Sequence, residues 1–251
     1  MKLYICANGF TEDQLDQAKH CIEKLRIGHE CSLPEELGRK LFNASYVPDF
    51  APEEADLIIS LGGDGALLAA ARVAIAAERP LIGINSGRLG YLCAMSFDDI
   101  DRFDEIIAAR RIRKVHLLEL SLDGRHAYAL NDIIVAKHNF GKTVDLKVAI
   151  EGYRDMNIRG DGIIICTPVG STAYNLSAGG PELDYDADVF ALTPICAHNR
   201  DTHCRIVSGD KAVSVSVNHE SALVYADGEL IGETSNGAGI ARSDKMLELY
   251  F

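Results

Sequence analysis

The run Leu61-Gly62-Gly63-Asp64-Gly65 sets one carboxylate among three glycines, directly after a short apolar stretch and before an Ala- and Leu-rich one. Glycines lack a Cβ, so an anion such as a phosphate can come close to the main chain there. If a helix opens at this point, its first N–H groups and the positive end of its dipole add to the anion site. Asp64 in such a place can act as general base on a hydroxyl, or hold a metal ion through water. The plainer reading of the same string is a helix-capping Asp in a tight turn.

Two further segments carry chemistry. Gly83-Ile84-Asn85-Ser86-Gly87-Arg88-Leu89-Gly90-Tyr91-Leu92 is a second glycine-rich turn, with neither the GxGxxG spacing of a Rossmann turn nor the GxxxxGK[ST] of a P-loop. Residues 159–181 run from Arg159-Gly160-Asp161-Gly162 through an apolar stretch into Thr167-Pro168-Val169-Gly170-Ser171-Thr172-Ala173-Tyr174-Asn175-Leu176-Ser177. Hydroxyls at the start of a short helix offer donors to a polar ligand, and Tyr174 offers an aromatic face for a base, which together read as a nucleotide pocket. Asn131-Asp132 and Ala226-Asp227-Gly228 are weaker signals that serve equally as ordinary turns.

The elements that must position these residues follow from periodicity. Residues 2–7 read as a strand. Thr11-Glu12-Asp13-Gln14 fits a capping box, and Leu15, Ala18, Ile22 and Leu25 then repeat at helical spacing. Residues 55–61 read as a strand buried on both faces, 65–78 as a helix stopping before Pro80, and 81–84 as a second strand. Strand, helix, strand implies an α/β layer, with both glycine-rich turns on one edge of a parallel sheet, where such sheets bind ligands. A last helix is expected over about 96–111, opened by Ser96 and Asp99. Beyond residue 112 the period becomes two: 115–122 and 125–130 flank an Asp123-Gly124 turn, and 212–217 alternates strictly. This half reads as mostly β, with one short helix over about 171–178. The change of period places the division at 1–100 for the α/β domain and 101–239 for the β domain. Residues 245–251 have a strand-like pattern, and the tail 240–251 is expected to return to the first domain.

Composition narrows the function classes. The chain has 251 residues, 47% hydrophobic and 25% charged, as in folded globular proteins. Its 37 acidic against 25 basic residues give a net charge of −12, which argues against nucleic acid or an anionic membrane as partner. No apolar run reaches the roughly 18 residues of a membrane span, and the first residues lack the apolar core of a signal peptide. The seven cysteines are scattered with no Cys-x-x-Cys pair, and the eight histidines show no metal-ligand spacing. A cytoplasmic protein with no structural metal is expected.

Taken in order, these segments resemble the NAD kinase family. The resemblance rests on GGDG at 62–65, G-I-N-x-G-x-L-G-Y-L at 83–92, and Asn131 with its acidic neighbour. It continues through D-G-I-I-x-x-T-P-x-G-S-T-A-Y-x-L-S-A-G-G-P at 161–181, T-P-I-C at 193–196 and D-G at 227–228, covering about residues 55–230. The GGDG turn is shared with lipid kinases and phosphofructokinases, whereas the long block is specific and disfavours those readings. The resemblance implies an α/β N-terminal domain, a sandwich-like C-terminal domain, and phosphoryl transfer to the 2′-hydroxyl of the adenosine ribose of NAD. It implies Asp64 as proton acceptor with Gly65 beside it, and Asn131 and Asp132 binding the nucleoside. Thr172, Ala173, Tyr174, Asn175, Leu176 and Ser177 would shape the adenine and ribose pocket. Lys142 would also contribute, and Arg159 and Asp161 would act across a subunit interface in a homodimer or homotetramer. ATP or polyphosphate is the implied donor, with Mg²⁺ or another divalent cation on its phosphates.

Several positions depart from the family pattern. Ala66 stands where Thr is usual, Asp132 replaces Glu, Val169 replaces Ser or Thr, Ala197 replaces Pro, and Glu229 replaces Gln. Ala66 removes a hydroxyl near the donor, and a carboxylate at Glu229 would repel a phosphate. A second class of function follows from these departures: an NAD(P)-binding regulatory protein impaired in transfer.

Overall fold

The computed structural model describes residues 1–7, 12–87, 90–139, 141–199, 202–218 and 221–251. Thr11 of the expected capping box, and Arg88 and Leu89 of the second glycine-rich turn, lie outside the described residues. The chain divides into two units, Met1–Val115 with Met246–Phe251, and His116–Lys245.

The first unit contains β1 (Lys2–Ala7), α1 (Glu12–Leu25), β2 (Glu30–Ser32), α2 (Glu35–Leu41), β3 (Leu57–Leu61), α3 (Asp64–Ala77), β4 (Leu81–Asn85), β5 (Met95–Ser96) and α4 (Phe103–Ala108). Its strands run parallel in the order β2-β1-β3-β4, with Leu3 opposite Leu57 and Ile58 opposite Leu81. Every residue of β3 and β4 is buried, which requires apolar side chains on both faces and explains the near-continuous LIISL and LIGIN runs. Leu57, Ile59 and Leu61 pack with Ala18, Ile22 and Leu25 of α1 in one cluster. Each such large side chain taken fully out of water contributes about 1.5–3 kcal/mol. The opposite face is covered by α3, so closely that a Cβ on Gly83 would lie 2.6 Å from Cδ1 of Leu67. The final residues return here: Leu249 pairs in parallel with Leu81, and the Phe251 N–H donates to the Arg111 carbonyl at 3.0 Å.

The helix expected over 96–111 takes a different form. Ser96 and Asp99 do close a capping box, the Ser96 hydroxyl donating to Asp99 at 2.7 Å. The first two turns, Phe97–Arg102, are nevertheless a 3-10 helix, and only α4 is α-helical. Ile100 and Phe103, both buried, are three residues apart, and three residues per turn stacks such a pair on one side. Elements β2 and α2 lie in a stretch where periodicity made no assignment.

The second unit is almost entirely β: β6 (Ile112–Leu122), which begins in the first unit, β7 (Arg125–Ala129), β8 (Asp132–Lys137), β9 (Val144–Ile150), β10 (Met156–Gly160) and β11 (Gly162–Cys166), then α5 (Tyr174–Ser177), β12 (Val189–Ile195), β13 (Arg205–Ser208), β14 (Val213–Asn218), β15 (Ala222–Ala226), β16 (Glu229–Thr234) and β17 (Ala238–Tyr250), which ends in the first unit. One layer is antiparallel, in the order β13-β12-β11-β8-β15-β16, and the other contains β10-β9-β14-β17 with β6 and β7. The inward residues of both layers form one core, running from Leu118 and Leu120 on β6 through Val144, Leu146 and Val148 on β9 to Ile163, Ile165, Phe190 and Val224. That shared core makes the unit sandwich-like. The β6–β7 hairpin turns at Asp123 (φ 46°) and Gly124 (φ 78°), the two left-handed positions that a type I′ turn demands. Strand β11 is buried on both faces, because Ile164 and Cys166 point away from the sandwich core into a second cluster with Leu183, Ala191 and Ile195.

Candidate functional site

The chemistry-bearing residues fall into two groups, one in each unit. In the first unit Gly62 (φ 131°) turns the chain out of β3, and its N–H donates to the Ile84 carbonyl at 2.9 Å. Gly63 caps α3, and Asp64 is the first residue of that helix, half-buried, with Gly65 exposed beside it. The first N–H groups of a helix have no partner in the helix ladder, so this end is a donor-rich, positively polarised surface.

The second glycine-rich turn folds onto the first. The Tyr91 and Leu92 N–H groups donate to the two carboxylate oxygens of Asp64, each at 3.3 Å. Gly90 permits this approach, since a Cβ there would lie 2.8 Å from Cγ of Asp64. Beneath the carboxylate, the Cys93 thiol donates to the Gly62 carbonyl at 3.7 Å; burial, then the Asp64 charge, pushes that thiol up to about 12. Asp64 is therefore oriented by main-chain donors while standing at a helix start. The Tyr91 and Leu92 amides escaped residue-by-residue reading because a backbone N–H carries no side-chain signature. Tyr91 itself is exposed.

In the second unit Asn131 and Asp132 stand at the corner between β7 and β8, both buried. The corner is held from two sides. Asp227 accepts the Leu130 N–H at 2.7 Å, the Asn131 N–H at 2.7 Å and the Asp132 N–H at 3.2 Å. Opposite, the Thr167 N–H donates to the Asn131 carbonyl at 2.9 Å, and the Thr167 hydroxyl donates to the Leu130 carbonyl at 2.6 Å. Gly170 passes directly over the corner, where a Cβ would lie 2.6 Å from Asn131 Cα. Burial raises the Asp132 carboxyl to about 7, and the neighbouring Asp227 charge adds to the effect. The Asn131 side-chain oxygen is buried with no hydrogen-bond partner among the described residues. An unmet buried acceptor costs about 1–3 kcal/mol, which a ligand's donor would offset.

The segment after β11 departs from the single short helix expected over 171–178. It is a 3-10 turn, Val169–Thr172, and a separate one-turn α5, broken at Ala173 (ψ −130°). Asn175 accounts for the break. Its amide nitrogen donates to the Ser171 and Pro181 carbonyls at 2.9 Å, and its oxygen accepts the Thr193 hydroxyl at 2.6 Å. Asn175 thus points into the fold with all these groups engaged, and Ser171 likewise bonds to Pro168 and Leu183. Thr172 and Ala173 are half-buried, whereas Tyr174, Leu176 and Ser177 are exposed. Val169, where a hydroxyl was the usual residue, is buried.

The remaining sequence-derived residues do not join this corner. Asp161 immediately precedes β11, at the end away from Cys166, the residue that pairs with Asp132. It is ion-paired with Lys137 at 2.6 Å. Arg159 is exposed on β10, and its N–H donates to Asn199. Lys142 is exposed in the loop after β8. In sequence Asp227 reads only as an ordinary turn and as part of the D-G at 227–228, with no role of its own. Its Asp-Gly string marks a turn, and nothing local shows that the carboxylate faces inward.

Both units of the chain match known proteins. The description "ATP-NAD kinase N-terminal domain" matches residues 6–112 and "ATP-NAD kinase C-terminal domain" matches residues 130–240. An NAD kinase from Thiobacillus denitrificans is 36% identical over 207 residues, 79% of this chain and 71% of that protein. One from Sulfurimonas denitrificans is 34% identical over 193 residues, 74% of this chain and 68% of that protein. Among solved structures, an NAD kinase from Archaeoglobus fulgidus in complex with ATP superposes with a TM-score of 0.79 at 25% identity, over 100% of this chain and 94% of that one. A yeast NADH kinase shares the fold at a TM-score of 0.85 and 21% identity, over 99% of this chain and 82% of that one.

Proposed function

The chain belongs to the NAD kinase family, and from that premise we propose how its residues phosphorylate NAD. Asp64 accepts the proton of the ribose 2′-hydroxyl as its oxygen attacks the terminal phosphoryl group of ATP. The observation that carries this assignment is the position of Asp64: first residue of α3, its carboxylate held by the Tyr91 and Leu92 amides. Those contacts fix the direction of the carboxylate before substrate arrives, so little reorganisation is left for the reaction itself. The N–H groups at the α3 start, with Gly63 and Gly65 offering no side chain, offset charge on the donor phosphates.

Asn131 and Asp132 bind the nucleoside. The open Asn131 oxygen accepts a donor from NAD, and Asp132, whose carboxyl burial raises to about 7, binds beside it. Tyr174 presents its exposed ring to a base, with Thr172, Ala173, Leu176 and Ser177 around it, while Asn175 shapes the turn from inside. A divalent cation supplies charge neutralisation when bound to the donor phosphates. Among the described residues no three His, Cys, Asp or Glu cluster into a cage. Mg²⁺ held on the donor phosphates by phosphate oxygens and water would need no such cage.

Arg159 and Asp161 serve a neighbouring subunit of a homo-oligomer. Asp161 precedes β11 at the end opposite the Cys166–Asp132 pairing, and Arg159 stands exposed on β10, placements that support this. A cytoplasmic setting is supported by seven cysteines that form no disulfide. No helix among the described residues is long and apolar enough to cross a membrane.

The test is NADP⁺ formation from NAD⁺ with ATP and Mg²⁺, coupled to an NADP-specific dehydrogenase, with polyphosphate replacing ATP in parallel. Product with ATP is expected; product with polyphosphate alone would reassign the donor.

A further inference from the structure

Asp227 takes no part in the mechanism above, yet with Asp132 it is one of the buried carboxylates of the second unit, only 8% exposed. Its backbone lies at φ 48°, followed by Gly228 at φ 76°, the left-handed pair that turns β15 into β16. Turn geometry explains a small polar residue or glycine at this position, since Asn and Gly adopt it as readily as Asp. It does not explain a buried negative charge. Taking a carboxylate out of water is costly unless donors replace the lost solvent.

The donors are three successive main-chain N–H groups, those of Leu130, Asn131 and Asp132, and the Asp227 N–H in turn donates to the Asp132 carbonyl at 3.0 Å. Charge-assisted bonds of this kind are roughly twice as strong as neutral ones. With Thr167 holding the Leu130 and Asn131 carbonyls from the other side, the peptide groups of the corner are hydrogen-bonded on both sides, which rigidifies them. That rigidity has a consequence for Asn131, whose side-chain oxygen stays buried and unpaired among the described residues. A mobile corner would turn that oxygen toward solvent or a nearby donor.

We propose that Asp227 is the positioning residue of NAD recognition, holding Asn131 and Asp132 in their binding orientation through three consecutive main-chain N–H groups. The proposal rests on the reading that Asn131 and Asp132 contact NAD. It assigns Asp227 an action through those two residues and no contact with the reacting atoms. The carboxylate also sets the electrostatics of the corner. Asp132 faces Asp227 from the β15–β16 turn and Cys166 from β11, and of these Asp227 contributes to raising it.

The experiment compares the wild-type enzyme with Asp227→Asn, which keeps size and one acceptor oxygen, and Asp227→Gly, which suits the left-handed turn and removes only the carboxylate. KM for NAD, KM for ATP and kcat are measured from pH 5 to 9, with thermal unfolding alongside. The expected result is a KM for NAD raised about tenfold or more, as for a lost charge-assisted hydrogen bond, with KM for ATP within about twofold. In Asp227→Asn the ionisation of Asp132, read from kcat/KM for NAD, moves to lower pH, and in Asp132→Asn it disappears. An unchanged KM for NAD in both variants overturns the proposal. So does a parallel rise of both KM values with no move of the pH profile, or failure of both variants to fold, since each marks a purely structural carboxylate. Absence of NADP⁺ formation by the wild-type protein would instead refute the kinase reading on which the proposal stands.

Discussion

A Cβ built on Gly90 would lie 2.8 Å from Cγ of Asp64, so the second glycine-rich turn reaches the proposed base only because residue 90 has no side chain. The carboxylate is the far end of a rotatable side chain, so it would swing aside rather than unfold the protein. Gly90→Ala should therefore lower kcat on the order of a hundredfold, the cost typical of about 1 Å of misplacement. Thermal unfolding should stay within a few degrees of wild type. Steady-state kinetics with a melting curve on the same sample checks both halves of the expectation.

Asp64→Asn leaves the size of the side chain and removes its basicity. The expected loss in kcat is about 10²- to 10⁴-fold, the range for a general base, with KM for NAD changed by no more than about threefold. Activity retained at a tenth of wild type or more would take the proton-acceptor role away from Asp64.

Gly170→Ala tests packing rather than chemistry. A Cβ at this position would meet main-chain atoms of Asn131, 2.6 Å from its Cα, and a backbone clamped by Asp227 and Thr167 cannot yield as Asp64 can. The substitution should destabilise the protein by about 1–3 kcal/mol, as for overpacked cores. Denaturant unfolding measures this, and a midpoint equal to wild type would show that the corner is softer than the contacts imply.

The pH dependence of stability follows from Asp132. Its folded value, about 7, is raised from the ordinary 3.8, so folding favours the protonated form. The stabilising contribution is full below the unfolded value, declines as pH rises from about 4, and is lost once pH passes about 7. Asp132→Asn stays neutral throughout, so its stability relative to wild type should improve as pH is raised from 4.5 to 8. A constant difference over that range would mean that Asp132 ionises in the folded protein as it does in water.

Much of the frame was legible in residue order. Strand β3, the glycine turn and α3 each depend on local pattern: a doubly buried apolar run, residues free of a Cβ, and good helix formers. The Asp123-Gly124 hairpin was equally readable, because a type I′ turn demands left-handed residues at two adjacent positions. The helix over 96–111 came out half 3-10, and the turn after β11 was broken in two, since the side-chain bonds of Asn175 replaced the helix ladder there. Both departures arise where packing and side-chain hydrogen bonds outweigh intrinsic helix preference.

What the residue order determined by itself is therefore the set of chemical groups and the local backbone that carries them: Asp64 after two glycines, Asn131 beside Asp132, hydroxyls and Tyr174 after Thr167-Pro168. Tertiary structure decided which of these are aimed and by what. The Tyr91 and Leu92 amides reach Asp64 across 27 and 28 residues, and Asp227 takes the amides of the Asn131 corner across 95 to 97. A main-chain N–H is the same group at almost every position, and its partner is whatever acceptor the folded chain brings within about 3 Å. That choice has no periodicity and no residue type to announce it.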